Sequence, residues 1–173
     1  MDPNSQADEA QTDATRRFHD DAPAKAELST TQKLAEVNID EFDAVFFPGG
    51  HGPLWDLAED GHCRALIEKA EQAGKVVSAV CHAPAVFRHT RSASGEPLVK
   101  GRKVTGFSNS EEEAVGLDKV VPFLLEDMLK ERGAEYSRGE DWAPHVVVDG
   151  RLITGQNPAS SAATAEAVVK ALG

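Results

Sequence analysis

Cys81 and His82 are adjacent residues whose types and position suit nucleophilic chemistry. They follow the apolar segment Val76–Val80 and precede Pro84, a residue typical of a first helical turn. A nucleophile between a buried strand and a helix lies on a sharp turn at the carboxyl end of the sheet. We expect the helix N-terminus to favour the thiolate and lower the pKa of Cys81, with His82 as a nearby base or cation. The alternative is a buried thiol without a chemical role.

Cys63, the other cysteine, lies early in a predicted helix and lacks such a turn, so we interpret it as structural. Two cysteines without a Cys-x-x-Cys pair predict neither a disulfide framework nor a zinc site. We therefore expect no metal. Three other histidines lie in polar stretches and are expected to be solvated: His19, His62 and His89.

The glycine-containing segment 48–52 (Pro-Gly-Gly-His-Gly) ends the apolar run Ala44–Phe47. Glycines after a strand let backbone N–H groups approach a ligand closely, and such groups can stabilise an oxyanion. The alternative is an ordinary strand-to-loop turn. The segment matches neither the dinucleotide fingerprint GxGxxG nor a phosphate-binding P-loop.

Three adjacent acids, Glu111, Glu112 and Glu113, follow a predicted third strand. Adjacent carboxylates usually form a solvated helix start, and Ser110 with Glu113 fits a capping box. One carboxylate could instead turn inward and orient a histidine. Spacing alone does not choose between these possibilities.

Strands and helices alternate after residue 42, which predicts an α/β fold with a mostly parallel sheet. The predicted strands are 44–47, 76–80 and 103–107, with a hairpin of 145–148 and 151–154 around Asp149-Gly150. The predicted helices are 63–73, a first turn at 84–87, 122–132 opened by Pro122, and 158–172 capped by Asn157. Before them, 6–21 suits a short helix and 22–31 an irregular or helical connector. We therefore divide the chain into a polar N-terminal segment, 1–40, and an α/β domain, 41–173.

The composition of the 173-residue chain limits the classes of partner that it is expected to bind, because the net charge is −11 and the isoelectric point about 4.9. Nucleic acids and anionic membrane surfaces need patches of Lys and Arg, so neither is an expected partner. No apolar run approaches the ~20 residues of a membrane span. The acidic start is unlike a signal peptide, and a cytoplasmic location is the default expectation.

Four stretches taken together resemble the ThiJ/PfpI superfamily, which is class I glutamine amidotransferase-like. They are residues 42–52, 79–84, 104–113 and 147–160, in that order. Their nearest resemblance is to the branch of heat-shock chaperones and glutathione-independent glyoxalases, called glyoxalase III. The resemblance implies a flavodoxin-like three-layer sandwich. It also implies a cysteine-dependent lyase of stress detoxification, with homodimers common in the superfamily.

The resemblance implies a role for each candidate residue. Cys81 would be the nucleophile, His82 its partner, and Glu112, rather than Glu111 or Glu113, the acid that orients His82. The oxyanion and substrate-binding residues would be Gly49, Gly50 and His51, with the backbone N–H groups of Gly50 and His82 forming the oxyanion hole. The reaction would convert methylglyoxal, a small dicarbonyl, to lactate without glutathione, metal or any cofactor.

The sequence departs from the family pattern in two places. Ala83 stands where many members have glycine, which looks tolerable. Family members also begin with a strand, a helix and a second strand before the segment that Asp2–Ser5 resembles, and the first loop supplies a glutamate that contacts the cysteine. Asp8 and Glu9 lie in the wrong context to replace it. We therefore expect a truncated chain with an exposed sheet edge and a thiol without its carboxyl partner.

Three alternatives to the glyoxalase III-like lyase remain open. The first is a stress chaperone or holdase that binds unfolded chains through apolar surface, and the second is a catalytically impaired remnant. A cysteine peptidase or amidase ranks below both, because segments 48–52 and 111–113 look like the glyoxalase branch.

Overall fold

The computed structural model describes residues 11–173. Internal contacts divide the chain into two compact units, Met1–Glu36 and Val37–Gly173. In the first unit, Thr12 caps helix α1 (Asp13–Asp20) and Asp21 caps helix α2 (Ala22–Ser29). The connector expected at 22–31 is thus mostly helical. The start of the helix expected at 6–21, together with Asp2–Ser5, Asp8 and Glu9, lies outside the described residues.

The second unit alternates strands with helices. Its strands are β1 (Ala44–Phe47), β2 (Val76–Val80), β3 (Lys103–Val104), β4 (Glu135–Tyr136), β5 (Val146–Asp149) and β6 (Leu152–Gly155). Its α-helices are α3 (Gly61–Gln72), α4 (Asn109–Ala114), α5 (Leu125–Glu131) and α6 (Ser161–Leu172). Short 3₁₀ helices cover Ile39–Glu41, Gly52–Leu54, Ala83–Phe87 and Pro158–Ser160, and another, Leu34–Glu36, closes the first unit. No helix within residues 11–173 is long and apolar enough to cross a bilayer.

The central sheet has the order β1-β2-β6-β5. Strands β1, β2 and β6 are parallel, whereas β5 pairs antiparallel with β6. The predicted α/β fold with a mostly parallel sheet is therefore confirmed. Strand β2 is buried along its whole length, while β1 is half-buried over its first three residues and pairs only with β2 among the described strands.

The predicted third strand, 103–107, is wrong beyond its second residue. Strand β3 ends at Val104 and pairs with β4 in a separate two-stranded sheet. The chain after it bonds elsewhere: the Thr105 N–H donates to Thr154 Oγ1 (2.9 Å), and the Phe107 N–H donates to the Cys81 carbonyl (2.9 Å). These bonds replace the ladder of a longer strand and connect residues 105–107 to the end of the central sheet.

The predicted helix start at Pro122 is wrong, because this proline precedes its α-helix. Helix α5 begins at Leu125 after an extended Leu124, so Pro122 lies before the cap. The predicted start at Pro158 is confirmed, since Pro158 opens a 3₁₀ turn that continues directly into α6. Asn157 caps this turn as predicted, since its side-chain oxygen accepts from the Ser160 N–H (3.2 Å).

The predicted hairpin is confirmed, with its loop one residue later than expected. Asp149 pairs with Leu152, which leaves Gly150 and Arg151 as the two-residue loop. Gly150 has a φ of 59°, a conformation that glycine adopts without the steric cost of a side chain. The glycine therefore takes the first loop position, and Asp149 stays in strand β5.

Gly155 allows the end of β6 to pack closely on β2 and on the start of α6. A Cβ atom at this position would lie 2.1 Å from Thr164 Oγ1 and 2.9 Å from Val80 Cγ2. We expect Gly155→Ala to lower the free energy of unfolding by about 1–3 kcal/mol, because overpacking forces neighbours apart. Urea denaturation would measure this loss beside Gly61→Ala, whose added Cβ meets open space. Equal midpoints for the two variants would contradict the assignment.

Candidate active site

Cys81 occupies a strained turn at the end of β2. Its φ of 64° is uncommon for a residue other than glycine and persists only where the surroundings hold it. Its N–H donates to the Gly155 carbonyl (2.9 Å), and its own carbonyl accepts from the Phe107 N–H (2.9 Å). The sharp turn predicted at this cysteine is therefore confirmed, and hydrogen bonds hold it from both sides.

Gly49 brings the loop after β1 into backbone contact with this cysteine. A Cβ atom at position 49 would lie 2.5 Å from Cys81 Cβ and 3.2 Å from its Sγ, so only glycine fits. The backbone N–H groups of Gly50 and His82 lie against the sulfur. These are the two groups expected to form an oxyanion hole, and their role in catalysis stays a prediction.

A chain of hydrogen bonds runs from Cys81 through His82 to Glu112. Cys81 Sγ lies 3.3 Å from His82 Nδ1, and His82 Nε2 lies 2.7 Å from Glu112 Oε2. An ionised carboxylate only accepts hydrogen bonds, so it selects the tautomer with the proton on Nε2. The lone pair of Nδ1 then faces the thiol, which is the arrangement a general base requires.

Among the three adjacent acids, Glu112 is the one that contacts His82. Glu113 is exposed, whereas Glu111 is buried and points elsewhere: it accepts from the Trp142 N–H (2.9 Å) and from Asn157 Nδ2 (2.8 Å). Burial opposes the charge of Glu111, but these bonds and one from the Ser108 N–H lower its pKa.

The predicted capping box of Ser110 and Glu113 is wrong. Ser108 is the N-cap of α4, and its hydroxyl accepts from the Glu111 N–H (3.2 Å), while Glu111 accepts from the Ser108 N–H (3.0 Å). The helix therefore begins two residues earlier than that box would imply. This start places Glu111 and Glu112 on the buried side and leaves Glu113 in solvent.

His51 contacts the other oxygen of the same carboxylate, with 2.9 Å between its Nε2 and Glu112 Oε1. Its ring centroid lies 3.8 Å from that of His82, which is 4.2 Å from that of Phe107. Phe107 in turn meets Trp142 edge to face at 5.7 Å. Sequence reasoning missed Phe107 and Trp142, and no local pattern marks either residue.

The structure brings all six predicted site residues together: Gly49, Gly50, His51, Cys81, His82 and Glu112. Three of them, His51, His82 and Glu112, offer ligand atoms within 4.8 Å of one another and could hold a divalent cation. A metal on the Nε2 atoms would replace the bonds that orient both histidines. Of the histidines expected to be solvated, His19 and His62 are exposed, but His89 is paired with Glu59 (3.2 Å).

Burial is the main influence on the protonation states of Cys81 and His82. It raises the pKa of the Cys81 thiol to about 11, although the N–H groups of Gly50 and His82 act against it. Burial also lowers the pKa of His82 to about 4, although Glu112 opposes this. The expected lowering of the thiol pKa is therefore wrong, because desolvation outweighs the field of one short 3₁₀ turn. Near neutral pH the pair is a thiol and a neutral imidazole.

We expect alkylation of Cys81 by iodoacetamide to accelerate about tenfold per pH unit above neutrality, because only the thiolate reacts. The rise should continue toward the pKa of about 11. Mass spectrometry after timed quenching measures the rate and separates Cys81 from Cys63, whose pKa burial raises to about 12. A plateau of the Cys81 rate below pH ~8 would show a thiolate already formed and would contradict this protonation state.

Known proteins resemble this chain over most of its length. The model of the DJ-1/PfpI family matches residues 11–171. Glyoxalase 3 of Candida albicans is 34% identical over 150 residues, which are 83% of this chain and 64% of that protein. The glutathione-independent glyoxalase HSP31 of Saccharomyces cerevisiae is 34% identical over 166 residues, 92% of this chain and 70% of that protein. The chain thus spans slightly less than two thirds of the Candida relative.

Solved structures agree with these relatives. Rapid Encystment Protein 24 KDa of Francisella tularensis superposes with a TM-score of 0.92 at 37% identity, over 100% of this chain and 76% of that one. Glyoxalase III from Candida albicans superposes with a TM-score of 0.91 at 30% identity, over 98% of this chain and 74% of that one. Family model, relatives and fold coincide, and the chain belongs to the DJ-1/PfpI family.

Proposed function

We propose that this protein converts methylglyoxal or related 2-oxoaldehydes to hydroxy acids by a cysteine-dependent, glutathione-independent reaction. The observation that carries the proposal is the hydrogen-bonded series of Cys81, His82 and Glu112 at a strained strand-end turn. Relatives named as a glyoxalase 3 and as a glutathione-independent glyoxalase support the choice of substrate class.

The first step forms a hemithioacetal. Cys81 Sγ attacks the aldehyde carbon while His82 Nδ1 accepts the thiol proton, and Glu112 stabilises the resulting imidazolium. The N–H groups of Gly50 and His82 stabilise the negative oxygen, which then takes the proton from His82. His82 Nδ1 lies 3.3 Å from the sulfur and is therefore the base in position to handle this proton.

The later steps move hydrogen within the substrate. Neutral His82 removes the proton from the former aldehyde carbon, and the neighbouring ketone oxygen takes up a proton to give an enediol. The carbon that carried the ketone is then protonated by His82, while the hydroxyl on the sulfur-bearing carbon loses its proton. The first carbon is thereby oxidised and the second reduced. The product is a thioester of Cys81. Water hydrolyses the thioester, which releases the hydroxy acid and restores the thiol. One water is consumed per substrate, and no external oxidant or reductant enters.

Purified protein tests the proposal in glutathione-free buffer containing a chelator. We expect methylglyoxal to disappear while lactate forms in equal amount, and added glutathione to leave the rate unchanged. Circular dichroism confirms folding in the same preparation. A folded protein without turnover would contradict the proposal and favour a remnant.

A holdase is the second candidate, favoured by apolar side chains exposed on the second unit. Val169 is 69% exposed and Val120 61%, and Trp55, Val148 and Leu172 are also open to solvent. Such residues can bind unfolded chains. A Cys81→Ala protein distinguishes the functions, because it should lose dicarbonyl turnover but keep any suppression of citrate synthase aggregation.

The proposal includes a cytoplasmic site of action and a possible homodimer. Two buried, unpaired cysteines suit a reducing compartment. Fractionation of cells that express the natural gene tests the location, and light scattering tests the dimer.

A further inference from the structure

A cavity of about 100 Å³, lined by none of the active-site residues, has basic side chains around it. Four arginines contribute to it, Arg64, Arg88, Arg91 and Arg132, together with His89. No acidic residue is among its lining residues within the described part of the chain. This clustering stands out because the whole sequence carries 29 acidic residues against 18 basic ones.

Two of the four guanidinium groups are held in place by other contacts. Arg88 donates to Glu59 Oε1 (2.8 Å), and its guanidinium carbon lies 4.4 Å above the ring centre of Phe123. Arg91 donates to the Gly95 carbonyl (2.6 Å). Their positions are therefore set before any ligand arrives, which reduces the entropy lost on binding. Glu59 offsets part of the charge of Arg88.

The other two guanidinium groups have no ion pair or side-chain hydrogen bond with any residue from 11 to 173. Arg132 caps the C-terminus of α5, where helix carbonyls favour a cation and explain its presence without a ligand. Arg64 lacks this explanation, because it lies in the first turn of α3, where the helix field disfavours positive charge.

We propose that this cavity binds a phosphate group, either as inorganic phosphate or as part of a phosphate monoester. Guanidinium groups pair with phosphate oxygens in forked hydrogen bonds, and several around one small space suit a tetrahedral anion. An adjoining cavity of about 260 Å³ shares Arg88 and Arg132. Its other lining residues are apolar or acidic: Phe123, Leu124, Met128, Asp127 and Glu131. It leaves room for the organic part of a monoester.

Thermal unfolding and calorimetric titration test the proposal with two probes, inorganic phosphate and phenyl phosphate, against chloride at equal ionic strength. A ligand that binds only the folded state raises the unfolding temperature. We expect saturable binding of both probes at millimolar or lower concentration. Tighter binding of phenyl phosphate identifies a monoester site, and equal binding identifies a site for the free anion; both results support the proposal.

Variants locate the site on the protein. Arg64→Gln and Arg132→Gln should each weaken phosphate binding by about tenfold or more, because each removes a charged hydrogen bond to the anion. Arg151→Gln removes the same charge from the exposed hairpin loop and should bind as the wild type does. Absence of saturable binding, or equal weakening in all three variants, would overturn the proposal.

Discussion

Cys81→Ala is expected to lower lactate formation from methylglyoxal by at least about 10³-fold, because the reaction has no nucleophile without the thiol. The side chain is 7% exposed and lies against the backbone of Gly49. Alanine fits this space and tolerates the positive φ about as well as cysteine does, so the fold should survive. Steady-state kinetics beside circular dichroism measure both properties.

Cys63→Ala is the matched control for this prediction. Cys63 is the other cysteine of the chain and is fully buried in α3. Burial raises its pKa to about 12, which makes it a thiol that is not activated as a nucleophile. We expect normal turnover with a loss of about 1 kcal/mol in the free energy of unfolding, typical of a small cavity. Lactate formation that survives in Cys81→Ala but fails in Cys63→Ala would reverse the assignment.

Glu112→Gln is expected to lower kcat by about 10²-fold or more, the range for losing an oriented general base. The carboxylate accepts from His82 with one oxygen (2.7 Å) and contacts His51 with the other (2.9 Å). An amide replaces one of these two oxygens with an NH2 donor, so in the present geometry it cannot accept from both histidines. Losing the charge also lowers the pKa of His82 further, because Glu112 raises it in the wild type.

Glu113→Gln controls for the charge change, since Glu113 is the exposed neighbour on the same helix. We expect its kcat and KM to match those of the wild type. Glu111→Gln should instead lower the unfolding temperature, because its carboxylate accepts bonds from Ser108, Trp142 and Asn157. Equal losses of kcat in Glu112→Gln and Glu113→Gln would contradict a positioning role for Glu112.

Local patterns predicted most of the scaffold. The apolar runs at 44–47 and 76–80 became β1 and β2, and the Asp-Gly pair marked a real hairpin. Such signals depend on neighbours in sequence, so they survive folding. Predictions failed where a distant group intervened: residues 105–107 bond to Thr154 and to Cys81 instead of extending β3.

The three adjacent glutamates show the same limit of sequence-based prediction, because spacing did not determine which of them contacts His82 in the active site. Each adjacent carboxylate could have faced His82 as far as spacing was concerned. The cap at Ser108 sets the start of α4, and that start directs Glu112 toward the sheet and Glu111 toward Trp142. A rotation of about 100° per residue separates these outcomes, which only the packed helix determines.

The sequence by itself determined that the cysteine and histidine stand at a strand end and that the chain resembles a family of known fold, because both follow from residue order. Only the tertiary structure decided which acid contacts His82 and which protonation state the thiol adopts. The contact depends on helix phase, and the protonation depends on burial, which raises the pKa of Cys81 and lowers that of His82. Burial results from the whole packed unit and therefore cannot be read from a local segment.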